Sequence, residues 1–298
     1  MFNNVIVTGG KGFLGKVLVA GFDGNVISLG RTADNAIICD LSNEVPKIPF
    51  NTNIIIHNAG KAHVIPNTLA EEKEFFLVNS KGTYNLLKGI DSSGATLSQL
   101  VLISTVAVYG KENGIDINEE FPLNGDTPYA LSKIEAEVLV TDWGKKNNIP
   151  VLIFRLPLIV GKNPPGNLGK MITGIKSGKY FSINNGRARR SLVLADDVVK
   201  CIPNNIGKSG IFNLTDGVHP TFKEIEKVIV NQLGVKTPKN MPKILAKILC
   251  VVGDRLIKFP FNSKIYLKMA NDLTFNDHKA RRELNWKPRE ALDFFEVT

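Results

Sequence analysis

Asn4-Val5-Ile6-Val7-Thr8-Gly9-Gly10-Lys11-Gly12-Phe13-Leu14-Gly15, followed by Lys16-Val17-Leu18-Val19-Ala20, decides the fold. The first five residues are mostly apolar and β-branched, as in a strand buried on both faces. The last five read as an apolar helix. Between them Gly9, Gly12 and Gly15 recur every three residues. Glycines there permit a tight turn, close approach of backbone to a pyrophosphate, and close packing of helix on strand. Backbone N–H groups at the helix start can then receive phosphates. Strand, glycine turn and helix together predict a dinucleotide-binding start.

Apolar runs continue in alternation with helical stretches. Strands are predicted at 25–29, 36–39, 53–57, 100–104 and 150–155, with helices over Leu69 to Lys88 and from Pro128 to about Lys146. Such alternation predicts α/β architecture: a Rossmann-type, doubly wound parallel sheet covered on both faces. Ligands bind beyond the carboxyl ends of such strands. Gly9, Arg31, Asp40, Asn58, Thr105 and Pro157 each follow a predicted strand, so one rim gathers them. Beyond Gly161 proline, glycine and asparagine concentrate, and helical or irregular stretches follow. Residues 1–160 are therefore expected to form the NAD(P)-binding domain. Residues 161–298 mainly form a smaller C-terminal substrate-binding lobe, with parts of 190–215 returning to the first domain.

Tyr129 and Lys133 lie four apart at the start of the second long helix, on one face. An ammonium beside a phenol favours the phenolate and would lower a pKa normally near ~10. The pair suits proton exchange with an alcohol or ketone. An isolated Tyr-x-x-x-Lys occurs by chance in many helices; the glycine turn upstream gives this one its meaning.

Composition excludes several classes. The chain has 298 residues, 43% of them hydrophobic. No apolar run reaches the ~18 residues of a membrane span, and no secretory signal is seen, so a cytoplasmic protein is expected. Cys39, Cys201 and Cys250 lack ligand spacing, and the four histidines form no metal motif; no metal is expected. A net charge of +9 suggests anionic partners. The basic residues are scattered and no nucleic-acid module is present, so nucleic acid is not expected.

The ordered motifs resemble those of the extended short-chain dehydrogenases/reductases, in the NAD-dependent epimerase/dehydratase group that includes nucleotide-sugar epimerases, dehydratases and 4-ketoreductases. The resemblance spans essentially the whole chain. It rests on the glycine turn, Asp40-Leu41, His57-Asn58-Ala59-Gly60, Val78 to Leu87, Ser104 to Gly110, Tyr129/Lys133, and Leu284-Asn285-Trp286-Lys287-Pro288. It implies a catalytic set of Thr105, Tyr129 and Lys133, with Ser104 as the competing hydroxyl. It implies cofactor contacts from Gly9, Gly12, Phe13, Leu14, Gly15, Asp40, Leu41, Asn58, Ala59, Gly60, Asn79, Ser104, Tyr129, Lys133 and Pro157. Arg31 joins them from its position: the second strand ends in Leu29-Gly30-Arg31 with no carboxylate, and a guanidinium suits a 2′-phosphate. NADP(H) is therefore expected over NAD(H).

The same resemblance implies a nucleotide-diphosphosugar substrate. Asn167 and Leu168 are similar to a uridine-contacting loop, Arg190 matches a diphosphate-binding arginine with Arg189 as its neighbour, and His63 falls where the sugar pocket is lined. Sugar-dehydrating members carry Asp-Glu after the threonine; here Val106-Ala107 stands there. Where epimerases carry a second diphosphate arginine, this chain has Met269 to Phe275, with none. The expected activity is a 4-ketoreductase acting on a UDP-4-keto-6-deoxy-hexosamine in surface polysaccharide biosynthesis. The alternatives are a UDP-sugar 4-epimerase and, further off, a non-catalytic dinucleotide-sensing regulator. A homodimer through the two long helices follows from the resemblance alone. The apolar-basic segment 243–258 reads as a lobe-packing or dimer-forming helix, or as an amphipathic helix giving weak membrane-surface association.

Overall fold

Seven parallel strands form the centre of the computed structural model, which describes residues 4–22, 24–255 and 263–297. In chain order the elements begin with β1 (Asn4–Thr8), α1 (Phe13–Ala20), β2 (Asn25–Gly30), β3 (Ile37–Ile38) and β4 (Ile54–His57). Next come α2 (Leu69–Phe75), α3 (Gly82–Ser93), β5 (Gln99–Thr105), β6 (Gly114–Ile117), α4 (Pro128–Asn147) and β7 (Val151–Leu156). The remainder comprises β8 (Leu158–Val160), α5 (Gly166–Lys176), β9 (Phe181–Ile183), β10 (Leu192–Leu194), α6 (Ala195–Cys201) and β11 (Gly210–Asn213). It ends with α7 (Phe222–Leu233), β12 (Lys239–Met241), α8 (Lys243–Arg255), α9 (Ser263–Ala270), β13 (Leu273–Phe275) and α10 (His278–Leu284).

The main sheet runs β11-β7-β5-β4-β1-β2-β3. Strand order reverses beside β1, which creates the crevice at the rim where ligands bind such sheets. The central strands read as unbroken apolar runs because both faces are covered. Val5, Val7, Ile54 and Ile56 point to one core with Leu14, Leu18 and Val198. Ile6, Ile55 and Leu100 point to the other with Leu86, Val140 and Trp143. Trp286 closes the first core and donates its indole N–H to the Thr215 carbonyl at 2.8 Å.

Three expectations need correction. The helix expected over Leu69 to Lys88 is interrupted by a π-helical turn at Phe76–Lys81 and continues to Ser93, where Gly94 at φ +65° ends it. The short third strand shrinks to Ile37–Ile38. The region beyond Gly161 is not merely helical and irregular. Its β10 pairs in parallel with β8, just before Gly161, its β9 pairs with β12, and its β13 pairs with β6. It also sends β11 back to pair with β7. Strands of three or four residues are too short to show a period.

All three cysteines are buried and free. Among the described residues no helix is long and apolar enough to cross a membrane. Lys258, in the apolar-basic segment, lies outside the described residues.

Candidate functional site

The glycine turn is built for close approach. Gly9 stands at φ +66°, and its N–H donates to the Leu29 carbonyl at 2.9 Å. A Cβ at Gly9 would meet the Ala59 Cα at 2.8 Å; one at Gly15 would meet the Gly9 carbonyl at 2.1 Å. Only glycine is tolerated at either place. Gly12 caps α1, with no acidic residue in the helix's first turn, so the helix start is free to face a pyrophosphate. These features fit a dinucleotide. Leu14 turns its side chain into the core, so only its backbone serves the turn, and Leu41 is likewise buried. Phe13 reaches across toward Gly161.

A buried relay of hydrogen bonds ties this turn to α4. The Thr8 hydroxyl accepts from the Asn58 and Ala59 N–H groups at 3.1 and 3.0 Å and lies 2.8 Å from His57 Nδ1. His57 Nε2 lies 2.9 Å from the Thr83 hydroxyl, which itself donates to the Asn79 carbonyl at 2.5 Å. Thr83 must therefore accept from Nε2–H, leaving Nδ1 to accept from Thr8. Asn79, in the π turn, accepts from the Lys61 N–H at 2.7 Å and donates to the Ser132 hydroxyl at 2.9 Å. Ser132 in turn donates to the Tyr129 carbonyl at 2.9 Å. Asn58 donates to the Gly9 carbonyl, and Gly60 has no room for a side chain without disturbing Asn79. π turns recur at functional sites for this reason: the extra residue re-aims one side chain.

His57 is 1% exposed, and burial, then the nearby Lys133 charge, pulls its pKa down to about 3. The folded state keeps it neutral, whereas the unfolded chain protonates it below about 6.5. Its contribution is complete above pH 6.5 and declines as pH falls toward 3, to a total of about 5 kcal/mol at 1.36 kcal/mol per unit. We expect urea-unfolding stability to decline between pH 6.5 and about 5, above the carboxylate range, with a shallower decline in His57→Gln. Parallel curves for the two proteins would exclude His57 as the cause.

Thr105, at the end of β5, and Tyr129 and Lys133, at the start of α4, are the groups expected to react. Thr127 caps α4 by accepting from the Ala130 N–H, and Pro128 fits the first turn. Thr105 accepts from the Ala107 N–H at 3.1 Å, which leaves its own O–H to donate, and its side chain is paired with the Tyr129 hydroxyl. Lys133 is buried and donates to the Ile103 carbonyl at 2.7 Å. Burial draws Lys133 down to about 8, against the raising effect of Glu137.

The phenol departs from expectation. Burial raises its pKa above the ordinary tyrosine value, and only the Thr105 hydrogen bond opposes this. Lys133 is not among the influences on the Tyr129 phenol; its ammonium donates to the Ile103 carbonyl.

Ser104 is separated from this group. Its hydroxyl donates to Glu137 at 2.5 Å in a cluster where Arg155 also binds Glu137 and reaches the Tyr109 hydroxyl. Tyr109 donates to Asn213 at 2.8 Å. Neither Glu137 nor Arg155 stood out in the sequence. An acidic residue four positions after Lys133 on one helix face was the available signal.

At the adenosine side, Arg31 is exposed just beyond β2, and Lys11 pairs with Asp34 at 3.3 Å. Asp40 accepts from the backbone and hydroxyl of Ser42. Pro157 sits half-buried between β7 and β8. On the opposite side His63, at φ +64°, lies against Gly166, and burial and Lys170 depress its pKa. Asn167 is exposed, whereas Leu168 packs in the lobe core with Met171 and Ile225 and offers no side chain to a ligand. Arg190 is 7% exposed and lies over the Phe222 ring; its Nη1 donates to the Arg189 and Asn271 carbonyls, while its Nη2 has no partner among the described residues. A buried guanidinium with an unspent donor fits an anion. Burial brings its pKa to about 10, despite Asp272 and Glu112. Arg189 binds the His219 carbonyl instead.

A tyrosine–lysine helix and a threonine strand end, set at the rim of a parallel sheet headed by a glycine turn, define a short-chain dehydrogenase/reductase. The chain belongs to the NAD dependent epimerase/dehydratase family, whose model matches residues 5–213. It is 26% identical to the UDP-glucose 4-epimerase of Vibrio cholerae, over 98% of this chain and 93% of that protein. It is 24% identical to the N-acetyl-alpha-D-glucosaminyl-diphospho-ditrans,octacis-undecaprenol 4-epimerase of Escherichia coli O157:H7, over 80% and 75% of the two chains. The solved UDP-glucose 4-epimerase of Thermotoga maritima with UDP-glucose shares the fold at a TM-score of 0.75 and 19% identity, covering 98% of this chain and 97% of that one. Other structures of this fold hold NAD or NADPH.

Proposed function

We propose that this enzyme is an NADPH-linked 4-ketoreductase of a UDP-4-keto-6-deoxy-hexosamine. The observation carrying this reading is the binding rim: Met269 to Phe275 offers no second arginine to a diphosphate, unlike the pattern the epimerases carry, and Arg31 follows a strand end with no carboxylate, which favours an exchangeable NADPH over a retained NAD. The loop after Thr105 supplies Val106 and Ala107, neither of which can move a proton, so 4,6-dehydration lacks its acid and base.

When bound, the reduced dinucleotide supplies the hydride to C4. Thr105 donates a hydrogen bond to the keto oxygen, Tyr129 delivers the proton to it, and solvent restores the proton to Tyr129. Lys133 would hold the nicotinamide ribose beside them. The spare Nη2 of Arg190 takes a diphosphate oxygen, while exposed Arg31, next to a strand end without a carboxylate, supports NADPH. His63 and Asn167 border the sugar and nucleotide. Residues 161–298 would serve mainly as the substrate lobe. Leu77 and Tyr84 on one helical face, with Leu131 and Val138 on another, are exposed, which supports pairing of two copies there.

The second reading, a UDP-sugar 4-epimerase, is favoured by the names of the relatives. One comparison separates the two. Purified protein given a UDP-4-keto-6-deoxy-hexosamine should oxidise NADPH, read by loss of its absorbance. The same protein given UDP-N-acetylglucosamine without added cofactor should leave it unchanged. Conversion of the second substrate without consumption of NADPH on the first would replace the reductase reading with the epimerase.

A further inference from the structure

The helix α8 is packed inside out. Ala246, Cys250 and Gly253, at intervals of four and three, form its buried face, with Cys250 and Ala246 set against Ile183 and Tyr266. Ile244, Ile248 and Val251 recur at the same intervals on the opposite face and are 76%, 58% and 53% exposed, with Leu245 beside them. A helix that serves only to pack a lobe turns its large aliphatics inward. Here the small residues do the packing and the large ones face water, so the apolar side has no partner among the described residues.

Charge selects the occupant. Residues 243–270 carry Lys243, Lys247, Arg255, Lys258, Lys264 and Lys268 against one acid, Asp254, and so hold five of the chain's nine net positive charges. Lys247 and Arg255 are exposed beside the aliphatic stripe. A second copy would set this basic segment against itself, because a two-fold contact brings like surfaces together. A protein partner is usually anchored by buried aromatic or arginine side chains, and the exposed stripe offers aliphatics beside Lys247 and Arg255. That combination suits the boundary between anionic headgroups and acyl chains: basic residues are drawn to such a surface, and the aliphatics enter the shallow apolar layer.

We propose that α8 docks this enzyme on an anionic lipid bilayer through Ile244, Ile248 and Val251, with Lys247 and Arg255 against the headgroups. This goes beyond the reaction proposed above and does not depend on it. The test is flotation of the full chain with vesicles of phosphatidylcholine alone or of phosphatidylcholine with phosphatidylglycerol. The protein should float with the anionic vesicles only, and added salt should release part of it. The double variant Ile248→Glu/Val251→Glu should stay unbound while keeping its cofactor affinity and its size on gel filtration. Lys247→Glu, which leaves the aliphatics in place, should weaken flotation without abolishing it. Three results would each overturn the proposal: wild-type protein that ignores anionic vesicles, a double variant that floats as before, and a double variant that shifts from dimer to monomer. The last would make the stripe a contact between copies.

Discussion

Tyr129→Phe should lower turnover by ~10²–10⁴-fold, the usual contribution of a positioned proton donor, while the protein remains folded and retains its cofactor. The hydroxyl removed is paired with the Thr105 side chain and holds no other structural contact in the relay, because Ser132 binds the Tyr129 carbonyl, not the phenol. The ring's tilted contact with Phe75, at 6.2 Å between centroids, survives the change. KM should therefore move little and kcat should fall, which marks an interaction made only in the transition state. Thr105→Val should fall less, since it removes a hydrogen bond and leaves the proton in place. The prediction holds for reduction or epimerisation, because both exchange a proton at the C4 oxygen. Turnover within tenfold of the parent enzyme would mean that another group moves the proton. Among the described residues around Thr105 none is positioned to do so.

The sheet was legible because its central strands are covered on both sides. Val5 to Val7 and Ile54 to Ile56 had to be unbroken apolar runs, and an unbroken run followed by glycines has few other readings. The placement of Thr105 at a strand end and of Tyr129 and Lys133 at a helix start was legible, because those junctions follow from the strand and helix patterns. Side-chain direction was less so. Leu14, Leu41 and Leu168 lie at motif positions but turn inward, and position along a chain does not state which way a residue faces. Single links of the Thr8–His57–Thr83–Asn79–Ser132 relay join residues up to 53 positions apart, and the π turn that aims Asn79 leaves no mark on composition. Lys133 likewise gave its position but not its partner. Its ammonium finds the Ile103 carbonyl of β5, a contact set only when α4 docks on the sheet.

Glu137→Leu should destabilise the fold by about 3–5 kcal/mol, among the largest effects available to a single substitution in this chain. Glu137 and Arg155 side chains are each 3% exposed. Their bond is bidentate: Arg155 Nη2 donates to Oε2 at 2.7 Å and Nε lies 3.2 Å from both oxygens. Removing the carboxylate leaves a guanidinium buried with only Tyr109 and the Glu119 carbonyl, and strands the Ser104 hydroxyl. The double variant Glu137→Leu/Arg155→Leu removes both charges and should recover more than half of the loss, since apolar replacement of a buried pair is often near neutral. Urea unfolding of the parent, single and double variants measures both quantities. A single variant within about 1 kcal/mol of the parent would show that water or rearrangement rescues Arg155. The pair also bears on the reaction site. Glu137 lies one turn beyond Lys133 on α4, and its charge opposes the fall in the Lys133 pKa. Ser104, beside Thr105, is pinned to the same carboxylate. In the double variant we therefore expect stability to return while Lys133 sits below its present value of about 8, so that its ammonium is lost at a lower pH. Recovered stability with an unmoved lysine would confine Glu137 to holding α4 against β5 and β7.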